Sequence, residues 1–188
     1  MTSAQVAVIA VIVIAMIAAV VVIVLQNRTR KLRAQFGPEY DRAVAETGNR
    51  LKAEAELERV EKRVKRYPLR ALTAADRERF QQSWRAIQAM FVDDPARAFL
   101  EADKLLGAVM SARGYPATDF EHRVAEISVD HAAVVEHYRA GHEIALRHSQ
   151  RQASTEDLRR GMVHYRTLFD ELMEEEAVPM RARAVGRS

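Results

Sequence analysis

From Val6 to Leu25 the chain reads VAVIAVIVIAMIAAVVVIVL, twenty residues without a polar side chain, and no comparable apolar run occurs later. At 1.5 Å of rise per residue, a helix of that length spans about 30 Å, the hydrocarbon thickness of a bilayer. A backbone in lipid must satisfy its own hydrogen bonds, so a single isolated span is expected to be helical. A secretory signal peptide would start with basic residues, carry a shorter apolar core and end at a small-residue cleavage site. Met1–Gln5 has no basic side chain, and the small residues Ala15, Ala18 and Ala19 lie inside the apolar run. The expectation is an uncleaved anchor over 6–25.

After the anchor the pattern changes to apolar stripes at helical spacing. Gly37-Pro38 interrupts the first helix, and Pro38 suits the first turn of another. Residues 38–66 are expected to form one long charged helix, with a bend plausible at Gly48. It has two stripes, Tyr40, Val44, Thr47, Leu51 and Ala53, Leu57, Val60, Val64. They suit a short coiled coil or a helix lying along a larger domain. Tyr67-Pro68 closes that stretch. Thr73 and Asp76 resemble a capping box ahead of a stripe of Phe80, Trp84, Ile87 and Phe91. Asp94-Pro95 predicts a new N-cap and first turn, with Phe99, Ala102, Leu106 and Val109 beyond it and a stop at Gly114. Thr118 and Glu121 read as a capping box for a short helix with Phe120, Val124 and Ile127. Ser128–Asp130 predicts a break, with His131 in the first turn of the next helix, whose face carries Val135, Tyr138, His142 and Ala145. Ser154 is expected to cap a last helix with Leu158, Met162, Tyr165, Phe169 and Leu172 on one side.

These elements predict an all-α chain: an N-terminal transmembrane helix, a long connecting helix and an antiparallel helical bundle over 69–175. No period-two alternation long enough for a strand appears. A basic tail over 176–188 is expected to be disordered.

Charge changes the picture of partners. The pI of about 9.4 invites a nucleic-acid reading. Yet residues 28–70 carry a net +6, residues 71–176 a net −6, and the tail a net +3. The domain itself is acidic and repels phosphate backbones, so nucleic acid is not an expected partner. Arg28, Arg30, Lys31 and Arg33 flank the anchor on its C-terminal side, within the basic juxtamembrane segment 26–37. By the positive-inside rule they predict residues 1–5 outside and the remainder cytoplasmic. They are also expected to attract anionic lipid headgroups, at about 1 kcal/mol each. Ala15 and Ala19 form a small-xxx-small pair, so a homo-oligomer is carried as an option.

Candidate chemistry is sparse. With no Cys, thiolate nucleophiles, thiolate metal sites and disulfides are excluded. The histidines at 131, 137, 142 and 148 are spaced six, five and six apart, not at the four-residue spacing of a helical metal pair. No nucleophile–base–oxyanion set assembles, so neither an enzyme, a cofactor nor a metal is expected. Two alternatives remain: a small-ligand or sensor pocket built from Tyr138, His142 and Tyr165, and, less favoured, a His-dependent metalloenzyme.

The phrases FVDDP (91–95), EADKL (101–105), MSARGYP (110–116), DFEHR (119–123), SVDH (128–131) and VVEHYR (134–139) together resemble an uncharacterised family of small bacterial proteins with one N-terminal membrane helix and a helical domain. The resemblance covers about a third of the chain. It implies a bacterial inner-membrane location and transfers no activity, substrate or cofactor. The expected role is an interaction or scaffolding module for an unknown protein partner. Arg113, Tyr115, Asp130, His131 and Arg139 are the candidates for its contact seam.

Overall fold

The computed structural model describes residues 3–174, which contain helices and connections and no strand. The elements are α1 (Ser3–Phe36), α2 (Pro38–Thr47), α3 (Arg50–Val64), α4 (Ala74–Asp93), α5 (Pro95–Arg113), α6 (Phe120–His131), a 3₁₀ turn (Ala132–Val134), α7 (Val135–Ser149) and α8 (Thr155–Glu174). The chain divides into two compact units, residues 1–58 and 59–188, with the boundary inside α3. The expected disordered tail lies outside the described residues.

In the first unit α1 runs unbroken through the apolar stretch and the basic cluster. One helix among the described residues is long and apolar enough to cross a membrane, and this is it. From Ile12 to Val24 its large apolar side chains expose between 43% and 66% of their surface, so no protein core claims them. From within the basic cluster onward the environment reverses: Leu32, Phe36 and Tyr40 are buried.

The single helix expected over 38–66 is two. Gly48 takes φ 62° and ends α2, with its N–H bonded to the Val44 carbonyl. Left-handed backbone is nearly free for glycine and costly for other residues, so a helix stop wins over a bend here. The Asn49 side chain then accepts from the Lys52 N–H at 3.1 Å, satisfying a donor at the start of α3. The break removes the continuous helix that a coiled coil requires. It also strands half of the first stripe, since Leu51 is exposed, while Ala53, Leu57, Val60 and Val64 are all buried.

In the second unit α4 packs on α5, α5 on α8, and α8 on α7, with α6 against α7. Their stripes share one core containing Phe80, Trp84, Phe99, Leu106, Val124, Ile127, Tyr138, Tyr165, Phe169 and Leu172. Trp84 stacks on Phe169 at 4.8 Å between ring centroids. The expected caps at Thr73, Asp94 and Ser154 each accept a backbone N–H three residues on. Two boundaries differ from expectation. Asp119, not Thr118, caps α6 by accepting from the His122 N–H at 3.1 Å. The break expected at 128–130 falls at 131–134 instead, because the Ser128 hydroxyl donates to the Ala125 carbonyl within α6 and does not cap a new helix.

Candidate functional site

Tyr138, His142 and Tyr165, separate in sequence, do converge. α7 and α8 bring them against α5 and the start of α6. The Tyr165 hydroxyl donates to Asp103 Oδ1 at 2.9 Å, and Arg123 Nη1 donates to the Tyr138 hydroxyl at 3.0 Å. The Phe99 ring stacks on Tyr165 at 4.9 Å, and Phe120 covers His142 at 3.5 Å. Arg139 holds Glu121 through two hydrogen bonds of 3.1 and 2.8 Å, and its guanidinium lies 5.7 Å from the Phe120 ring centre. Arg139 and His142 therefore both lie against the Phe120 ring.

The helices approach closely beside these groups. A Cβ on Gly141 would stand 2.2 Å from Tyr165 Cε1, so the α7 backbone itself forms one wall of the tyrosine's berth. Tyr138 and Tyr165 are both buried. Burial, helped by the Asp103 charge, holds the Tyr165 hydroxyl far above its ordinary pKa, so it is a permanent donor. Burial also lowers His142, with Arg123 and Arg139 adding to the effect against Asp103 and Glu121. These side chains knit helices together through the Arg123–Tyr138 and Asp103–Tyr165 hydrogen bonds.

The five seam candidates are placed differently from an exposed contact strip. Arg113 is buried, and its Nη1 donates to the Leu172 carbonyl at 2.7 Å, tying the end of α5 to α8. Tyr115 is buried with its hydroxyl 3.4 Å from Asp130 Oδ2. His131, expected in a first helical turn, ends α6 and is buried, its Nδ1 3.3 Å from Glu171 Oε1. Only Asp130 is exposed, while Arg139 is half-buried and engaged with Glu121. Arg113, Tyr115 and His131 thus brace α8 and the α5–α6 connection. Their partners are up to 59 residues away in the chain, which is why sequence spacing did not reveal them.

The juxtamembrane basic residues are partly spoken for inside the first unit. Glu54, 1% exposed, accepts from the Thr29 hydroxyl at 2.7 Å and the Tyr40 hydroxyl at 2.9 Å. Arg28 Nε lies 3.8 Å from Glu54 and 2.6 Å from Glu58, and Arg33 Nη2 pairs with Asp41 at 2.5 Å. Burial first, and then the Glu54 carboxylate, raise Tyr40, keeping it a donor. Arg30 and Lys31 are exposed.

Two features have no counterpart in the sequence pattern. A cleft of about 550 Å³ is lined by Arg70, Arg79, Phe80, Ser83, Leu105 and Ser111. Arg70 is fixed there by donating Nε to the Ala112 carbonyl at 2.8 Å. Separately, His137 on α7 and His164 on α8 bring their Nδ1 atoms within 3.0 Å.

No family model, curated protein or solved structure matches the chain. Among the described residues its geometry is all-helical, with one helix apolar and long enough to cross a membrane.

Proposed function

We propose that this protein is a single-pass inner-membrane protein, N-terminus out, that displays an antiparallel helical bundle in the cytoplasm as an interaction or scaffolding module without catalytic activity. The observation that carries the reading is the exposed apolar face of α1 between Ile12 and Val24, continuous with a helix that ends in a buried, folded segment. Exposing that much contiguous apolar surface to water is unfavourable, at about 25 cal/mol per Å². Lipid relieves it. Arg30 stands at the headgroup level of this arrangement, while Arg28 and Arg33 hold carboxylates of the same unit, so the anionic-lipid contribution is smaller than four free cations would give.

On the bundle, Val92, Leu100, Leu146 and Val163 are large apolar side chains left exposed on four different helices, Val92 by 82%. They serve as probes of the partner surface. A photo-crosslinking residue placed at each position in turn, in the full-length chain in its membrane, is expected to give a discrete adduct from at least one. An adduct of twice the chain's mass would identify a second copy as the partner. No adduct at any of the four would count against the interaction reading.

A second reading, a small-ligand or sensor bundle, is favoured by the Arg70–Arg79 cleft rather than by the tyrosine cluster. One fixed guanidinium beside an apolar floor of Phe80 and Leu105 suits a small anion with an apolar body.

A further inference from the structure

The cleft of about 550 Å³ lies where α4 and α5 present small side chains: Ser83 lines it from α4, and Ala108 and Ser111 line it from α5. Its floor is Phe80 and Leu105, both part of the hydrophobic core. Arg70 is fixed at one end by the way α5 stops. A helix leaves its last four carbonyls without partners of its own. Here the Met110 and Ser111 carbonyls accept from the Tyr115 and Gly114 N–H groups. The next two, Ala112 and Arg113, both accept from Arg70: Ala112 from its Nε at 2.8 Å, and Arg113 from its backbone N–H at 3.0 Å. Leu105 stands two helical turns before Ala112, roughly 10 Å along α5, so the apolar floor extends away from the cation.

With Nε committed, the Nη1–Nη2 edge of Arg70 remains for an acceptor, and among the described residues no carboxylate pairs with it. The second arginine of the cleft is already neutralised. Arg79 Nη2 lies 2.8 Å from Asp76 Oδ1, and its guanidinium lies 4.8 Å from the Phe80 ring centre. The Ser83 hydroxyl donates to the Arg79 carbonyl at 3.0 Å. The cleft therefore carries one uncompensated positive charge beside an apolar trough. We infer, on the small-ligand reading of this cleft, that it binds a small monocarboxylate with an apolar body. The Nη1–Nη2 edge of Arg70 matches the two oxygens of a carboxylate. The body lies along Phe80, Leu105 and Ala108. A phosphate monoester carries nearly two negative charges at neutral pH. Its second charge would meet the Arg79–Asp76 pair instead of a free cation, which disfavours it.

The test measures binding of phenylpropionate and hexanoate to the full-length chain in lipid nanodiscs by equilibrium dialysis, with protein-free nanodiscs as the blank. Phenylpropanamide and phenylpropyl phosphate are the neutral and doubly charged counterparts. The expected result is one carboxylate bound per chain, with the amide and the phosphate weaker by roughly tenfold or more. Arg70→Gln removes the charge, and Ala108→Leu fills the trough from an exposed position. Each should weaken carboxylate binding by roughly tenfold or more, while Arg97→Gln, at the other end of α5, should leave it unchanged. Circular dichroism of each variant confirms the helical fold. Tighter binding of the amide or the phosphate, lost in Ala108→Leu, would overturn the carboxylate assignment and leave the cleft as a ligand site. Carboxylate binding unchanged in the folded Arg70→Gln variant would overturn the assignment as well. If no probe's binding responded to Ala108→Leu, both the assignment and the small-ligand reading of the cleft would fall.

Discussion

Arginine at both Ile14 and Ile17 is expected to release the protein from the membrane. Both positions lie within the exposed apolar face of α1, at 66% and 58% exposure. Each arginine near the centre of a span costs about 2.5–3.5 kcal/mol on insertion scales, so the pair removes roughly 5–7 kcal/mol. The Ile14→Leu, Ile17→Leu variant keeps the apolar surface and is expected to stay in the membrane after an alkaline carbonate wash. The arginine variant should appear in the wash or in aggregates. Retention of the arginine variant at the wild-type level would contradict a lipid-facing role for this face.

Phe99→Ala is expected to have the largest effect within the folded unit, a loss of about 3–5 kcal/mol. The ring is fully buried and lies flat on Tyr165, within 6° of parallel. Its edge faces the α8 backbone so closely that a Cβ on Gly161 would stand 2.5 Å from Phe99 Cε2. The hole left by truncation has helix backbone on one side. On the other it has a tyrosine tethered to Asp103, so its walls have little freedom to close. Thermal unfolding of the full-length chain in detergent should show the midpoint lowered by roughly 10–20 °C. Leu100→Ala, next in sequence and 47% exposed, should cost under about 1 kcal/mol. Similar costs for the two would show that the ring is not buried as described.

The range of the forces involved decides how much of the fold is legible in the sequence. The stripes of α4, α5 and α8 are local patterns, and Phe80, Trp84, Phe99, Leu106, Tyr165 and Leu172 are all buried as their spacing predicts. The caps at Thr73, Asp94 and Ser154 act over three residues and are equally readable. Local rules fail where two of them compete. Thr118 and Asp119 are both good caps, and only the backbone path selects Asp119. Ser128 has a choice between capping a new helix and bonding back into its own, and it bonds back to Ala125. At Gly48 the stripe argues for continuity and the glycine for a stop.

The candidate sites are less legible because they depend on contacts between helices. Tyr138, His142 and Tyr165 come from two helices, and their surroundings are set by inter-helix packing such as the close approach of Gly141 to the Tyr165 ring, which spacing along the chain does not show. Arg113 and His131 look like surface residues by type, yet they find acceptors on α8. The spacing of the histidines along one helix excludes a metal pair there. It is silent on His164, which meets His137 only because α7 lies against α8.

The central claim is that α1 crosses a membrane and presents everything after it to the cytoplasm. Protease accessibility tests it most directly. The full-length chain, carrying an epitope after residue 188, is compared in sealed right-side-out and inverted inner-membrane vesicles. The account predicts that external protease removes the epitope only from inverted vesicles, and that the chain stays with the membrane after carbonate. Removal of the epitope from right-side-out vesicles, or recovery of the chain in the soluble fraction, would contradict it.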